Sequence, residues 1–164
     1  MACQIADRGW NGRMSLMIGV AGCFFSVAAF AILLETPPNY LIHAGAVGAV
    51  GGFVYLIGTK CGLGVVLSSF LSALSIAFLA HLFARIFKEP VTVFLTAGIL
   101  PTVPGAGMYR TAYYLIQNNS ERSGYYLMQT LEIAGVIALA IFIVDTLFKI
   151  AGKREKRYTR SGTP

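Results

Sequence analysis

Residues 98–107 read GILPTVPGAG, and they interrupt an apolar segment otherwise long enough to cross a bilayer. Pro101 and Pro104 each lack an amide hydrogen, and each disfavours helical geometry in the residue before it. Gly105 and Gly107 add backbone freedom and withhold side-chain cover. The stretch therefore breaks a helix inside a hydrophobic segment. Hydrocarbon cannot bond the freed amides and carbonyls, so such backbone persists only where protein or a wet cavity surrounds it.

The flanking sequence fits that setting. Residues 14–34 carry no charge and, at 1.5 Å per residue, reach about 31 Å, enough for a hydrocarbon core. ETPPN at 35–39 ends that helix with two prolines. A glycine-laden span follows at 40–59, then a tight turn around Lys60. A third span covers 62–86 and ends among Arg85, Lys88 and Pro90. The interrupted segment occupies 91–118, and the last span 125–150. Tyr113 and Tyr114 precede the polar loop QNNSERSG, and Tyr125 and Tyr126 follow it, as in an aromatic belt at one membrane face. The expected fold is an all-α integral membrane protein of about five hydrophobic helices, the fourth broken at a Pro-x-x-Pro-Gly motif. It divides into a polar N-terminus at 1–13, a membrane domain at 14–150 and a basic tail at 151–164.

Composition agrees. Hydrophobic residues make up 56% and charged residues 12%, against the roughly 25% charge of a soluble domain. The net charge of +6 gathers in Lys149, Lys153, Arg154, Lys156, Arg157 and Arg160. Placed directly after an apolar span, these mark a cytoplasmic tail facing anionic lipid. No basic stripe with interleaved aromatics accompanies them, which excludes a nucleic-acid partner. Cys3, Cys23 and Cys61 fit neither a disulfide framework nor a metal site. VAGC at 20–23 has the look of a lipoprotein cleavage box, but the apolar run continues beyond Cys23, as an uncleaved helix would.

With the tail inside, two topologies remain. If 91–118 crosses, Arg85 and Lys88 lie inside with the tail and the N-terminus lies outside. If 91–118 is re-entrant, both chain ends lie inside and Arg85 and Lys88 lie outside.

Candidate residues follow from depth and spacing. Gly45, Gly48 and Gly52, the last two forming G-x-x-x-G, suit close helix packing. Glu132 lies about 10 Å into the last span, where a carboxylate faces a bundle interior or a wet path and suits proton handling. Asp145, one turn before Lys149, reads as an interfacial ion pair. His81 and Arg85 share a face of the third span, His81 as a structural residue and Arg85 as a side chain snorkelling to headgroups. Transporters place broken helices at substrate sites. Here the amide end of the second half, with Arg110 one turn in, suits a carboxylate. No catalytic nucleophile, metal cluster or cofactor motif is visible, so neither an enzyme nor a cofactor is expected.

ARIFKEP at 84–90, followed at 100–105 by LPTVPG, resembles the threonine/serine exporter (ThrE-type) family. The matching positions are Arg85, Pro90, Pro101, Pro104, Gly105 and Tyr109, and the resemblance covers roughly 14–150. It is to the smaller, C-terminal half of the full exporter, which some members carry as a separate protein. The resemblance implies a split small subunit in the inner or plasma membrane, working with a larger membrane subunit and exporting threonine or serine, or a dicarboxylate such as succinate, on the proton gradient. Pro101, Pro104, Gly105, Tyr109 and Arg110 are the expected substrate or gating residues, and Glu132 the proton-linked one. Lipid contact and a higher oligomer are further expectations. The alternatives are a non-transporting scaffold subunit and a stand-alone channel or carrier.

Overall fold

A computed structural model describes residues 12–160, with side chains at 14 and from 16 to 150. Residues 1–11 of the expected polar N-terminus and residues 161–164 of the tail lie outside the described residues, as do the side chains of Lys153, Arg154, Lys156, Arg157 and Arg160. Six helices are described: α1 (Gly12–Leu33), α2 (Leu41–Lys60), α3 (Gly64–Phe87), α4 (Val91–Ile99), α5 (Gly105–Ile116) and α6 (Ser120–Arg160). No strand occurs among the described residues. The expected all-α membrane fold is borne out, with α4 and α5 as the halves of the broken span, bent by 44°.

The C-terminal ends of α1, α2, α3 and α5 are closed by backbone hydrogen bonds. The amides of Thr36, Leu63, Glu89 and Asn119 reach back to the carbonyls of Ala31, Gly58, Ala84 and Tyr114. Each reach spans five residues, and the residue before each amide is left-handed: Glu35, Gly62, Lys88 and Asn118. This closure satisfies helix-end carbonyls that lipid cannot.

Small residues set the spacing of the bundle. A Cβ added at Gly45 would stand 2.7 Å from the Phe24 ring, one at Gly52 would stand 2.5 Å from Cys23 Sγ, and one at Gly48 would overlap Val27. The α2 backbone thus lies directly on α1. On the adjoining face of α2, Gly51 meets Ile76 of α3, and the buried Ser72 hydroxyl donates to the Gly51 carbonyl at 2.8 Å. Alanines 31, 44, 80, 84 and 97 close around the fully buried Phe94. That ring sits edge-on or tilted to Tyr40, Phe83 and Phe87.

Cross-contacts fix the directions of α3 to α6. Ala73 packs with Ile137 and Ala140, His81 meets Asp145, and Arg85 bonds the Phe148 carbonyl. Rising numbers match rising numbers, so α3 and α6 run parallel. Between α5 and α6, Gly107 faces Thr130 and Ser123 bonds the Thr111 carbonyl, so these two run antiparallel. Along α4, Phe94 meets Phe83 and Phe87, and Gly98 meets Ile76. That helix descends from the C-terminal end of α3 to its middle, and α5 continues to the far end. The broken pair together runs the length of α3 in the opposite direction, and Arg85 shares an end with the start of the basic tail.

Two boundaries differ from expectation. The polar loop shrinks to residues 117–119, because SERSG forms the first turn of α6. The Asn119 side chain accepts from the Arg122 amide at 3.2 Å, capping that turn. At its other end α6 does not stop at 150. Its 41 residues make about 61 Å of helix, twice a hydrocarbon core of about 30 Å.

Candidate functional site

The break lies at mid-depth. A Cβ on Gly98 would stand 3.0 Å from both Ile76 and Val47, and Ile76 is central in α3. Leu100–Thr102 forms a single 3₁₀ turn, in which the Val103 amide takes the Leu100 carbonyl at 3.3 Å. In a continuous helix that carbonyl would belong to residue 104, where Pro104 has no amide to offer. The Thr102 hydroxyl covers the Ile99 carbonyl at 2.7 Å. Pro104, at φ −75° and ψ 53°, forms an inverse γ-turn in which the Gly105 amide bonds the Val103 carbonyl at 2.7 Å.

Much of the freed backbone is therefore re-paired locally. Gly107 and Met108 both donate to the Pro104 carbonyl, so the amide end of α5 is largely engaged. What remains distinctive is exposure. Pro101, Val103, Gly105 and Ala106 lie on the outer surface of the chain, and no atom stands within 4 Å of a Cβ placed on Gly105.

Arg110 does not turn to the amide end. Its guanidinium sits 5.4 Å from the centre of the Tyr126 ring, and Arg122 sits 5.6 Å from that of Tyr114. The two tyrosines stack between the helices, while Tyr109 stacks on Tyr113 at 6.1 Å. Beside this cluster, Asn119, Glu121, Arg122, Tyr125 and Tyr126 line a polar depression open to the surface. Glu132 is exposed on the outer face of α6, flanked by exposed Met128, Leu131 and Leu139. No ion pair joins it to Arg110 or to any other described residue. The break, Arg110 and Glu132 are thus three separate exposed features.

A different cluster is assembled between α3 and α6, around the buried His81. Asp145 pairs with Lys149 at 2.6 Å, as its spacing implies, and its other oxygen faces His81 at 3.4 Å. Arg85 donates to the Phe148 carbonyl at 3.0 Å and lies 5.1 Å from the centre of that ring. Helical spacing put His81 and Arg85 on one face, but nothing in spacing names a partner 64 residues away. Sequence reasoning also missed His43, which stands in plain view at the start of the glycine-rich span. Its ring is wedged against Phe83 and Phe87, and its buried Nδ1 has no hydrogen-bond partner among the described residues.

Helices of membrane length around a discontinuous span define a multi-pass membrane protein. The family model described as Threonine/Serine exporter, ThrE, matches residues 19–147. The chain belongs to the threonine/serine exporter family, as the motifs around Arg85, Pro90 and Pro101 imply. It is similar to a "probable threonine/serine exporter" of Mycobacterium tuberculosis, at 25% identity over 158 residues, which cover 92% of this chain and 30% of that protein. The chain thus spans under a third of that relative's length. No solved structure matches it.

Proposed function

We propose that this chain is the smaller membrane part of an exporter of small carboxylate-bearing metabolites, acting with a larger membrane subunit and driven by the proton gradient. Threonine or serine is the first substrate class and a dicarboxylate such as succinate the second. The observation that carries this reading is the outward placement of the mid-depth break within a chain of the exporter family. A break opening into lipid would waste its polar backbone, whereas one facing a second protein completes a path. Pro101, Pro104 and Gly105 then form the gating element, and Tyr109 and Arg110 guide the carboxylate. Glu132 is the proton-linked group, covered by the partner or a further copy. Gly45, Gly48 and Gly52 hold α2 against α1.

The basic tail, joined at its end of the bundle by Arg85 and Lys88, faces the cytoplasm by the positive-inside rule. The protein then resides in the inner or plasma membrane. Local re-pairing at the break favours the scaffold alternative instead, in which the chain stabilises a transporter without lining its path. The deciding experiment loads proteoliposomes with labelled threonine, serine or succinate and compares efflux with this chain alone, the larger subunit alone and both. Efflux from both together, and from neither alone, supports the proposal. Full efflux from this chain alone makes it a stand-alone carrier, and efflux from the larger subunit alone makes it a scaffold.

A further inference from the structure

The contact between α3 and α6 contains an ionisable cluster that the export reading does not use. His81 is buried, 6% exposed, and both its ring nitrogens are engaged. Nδ1 lies 2.9 Å from the Ala77 carbonyl, and Nε2 lies 3.4 Å from Asp145 Oδ1.

Those two contacts cannot both hold a hydrogen in a neutral ring. A carbonyl and an ionised carboxylate only accept, and a neutral imidazole donates from one nitrogen alone. If Nδ1 carries the hydrogen for Ala77, a lone pair on Nε2 faces the lone pairs of Asp145. If Nε2 carries it for Asp145, a lone pair on Nδ1 faces the Ala77 carbonyl. Either tautomer leaves one acceptor against another beside the buried His81 ring, where an unmet polar contact is costly. One added proton, on the ring or on the carboxyl, repairs whichever contact is empty.

The surroundings tolerate that proton and do not replace it. On α6, Lys149 holds the second oxygen of Asp145. On α3, Arg85 is turned onto Phe148. On α2, His43 stands against Phe83 and Phe87, while Tyr55 and Lys60 lie toward the opposite end. Helix α4 carries no titratable side chain, and Glu89, just beyond α3, is engaged by Tyr40. The Phe148 ring lies 4.8 Å from the imidazole and covers it.

We propose that His81 and Asp145 together form a proton-binding site, built wholly within this chain, that ties the tail end of α3 to α6. Histidine is the side chain whose ordinary titration falls near neutral pH, so the site suits exchange with a cellular proton gradient. It goes beyond the export reading, which puts the proton-linked group at Glu132, and depends on that reading only for what the proton drives.

The test uses the full chain in lipid nanodiscs with nitrogen-15-labelled histidine. His43→Gln removes the other imidazole and assigns the signals. Between pH 8 and pH 5 the His81 nitrogens are expected to pass from the neutral to the doubly protonated pattern. In Asp145→Asn that passage is expected to vanish from the window, because the asparagine amide supplies the missing donor to a neutral ring. A wild-type His81 fixed in one state from pH 5 to pH 8 overturns the proposal, as does an identical titration in Asp145→Asn. Where export is reconstituted, His81→Gln and Asp145→Asn should flatten its pH dependence at unchanged protein level. Absence of export in the wild type overturns the export reading instead, and leaves the nitrogen titration to decide this one.

Discussion

The rings of Tyr114 and Tyr126 stack 5.5 Å apart and 4° from parallel across the α5/α6 hairpin. Arg110 caps one ring and Arg122 the other, each from the opposite helix. The sequence repeats itself here as RTAYY at 110–114 and RSGYY at 122–126. Antiparallel helices turn that repeat into a reciprocal clasp. Because α5 packs chiefly on α6, the clasp anchors the second half of the broken span. A double-mutant cycle with Tyr114→Ala and Tyr126→Ala should give a coupling of about 0.5–1.5 kcal/mol. Unfolding in mixed micelles measures it, and additive losses would refute the clasp.

The α1/α2 seam should be intolerant at Gly48 and forgiving at Gly22. Gly48→Ala forces its new Cβ onto Val27 and should cost about 1–3 kcal/mol, the usual range for overpacking. Val27→Ala in the same chain should recover part of the loss. Gly22, with open space around it, should accept alanine without a fall in melting temperature. Thermal unfolding in detergent reads all three.

Sidedness can be checked with a natural thiol. Cys61 is exposed in the turn between α2 and α3, at the end opposite Arg85. With Cys3 and Cys23 replaced, an impermeant maleimide should label Cys61 in intact cells. In a chain with Cys61 also replaced, Lys88→Cys should be labelled only after permeabilisation. The reverse pattern, with Lys88→Cys labelled in intact cells and Cys61 only after permeabilisation, would make the broken segment re-entrant.

The broken helix can be mended. Pro101→Ala with Pro104→Ala restores the two missing amides and should leave insertion unchanged while abolishing export. Gly105→Leu is the sharper probe, because nothing in this chain stands within 4 Å of the added carbon. Loss of export there, with normal folding, means the side chain strikes something outside the chain. Normal export from both variants would show that the break is architecture alone.

Glu132 separates titration from contact. Glu132→Gln keeps shape and hydrogen bonding and should preserve assembly with the larger subunit while export loses its proton dependence. Glu132→Leu suits lipid and should weaken co-purification as well. Wild-type export from both would remove Glu132 from the mechanism.

The spans were legible because charge-free runs of membrane length have few other readings, and the break because proline cannot supply an amide. The tight closures at Glu35, Lys88 and Asn118 were not, since left-handed geometry there falls on residues other than glycine. The start of α6 was hidden by its polarity. SERSG reads as loop until Asn119 is seen to cap it, and KREKR, charged but helix-favouring, carried the helix past the expected end. Of the site, depth and helical face were readable for His81 and Glu132. Partners were not, because periodicity says which way a side chain points and leaves open which helix it meets.

With the bent pair counted as one span, the chain crosses five times, an odd number. A polypeptide spliced before α1 therefore starts on the opposite side of the bilayer from one spliced after α6. Two copies of this chain joined in tandem by a short link would have to insert upside down with respect to each other. A single copy fused behind another membrane segment accepts only one whose end emerges on the side where α1 begins. Parity, more than sequence, thus limits which membrane proteins this chain can be built into as a single gene product.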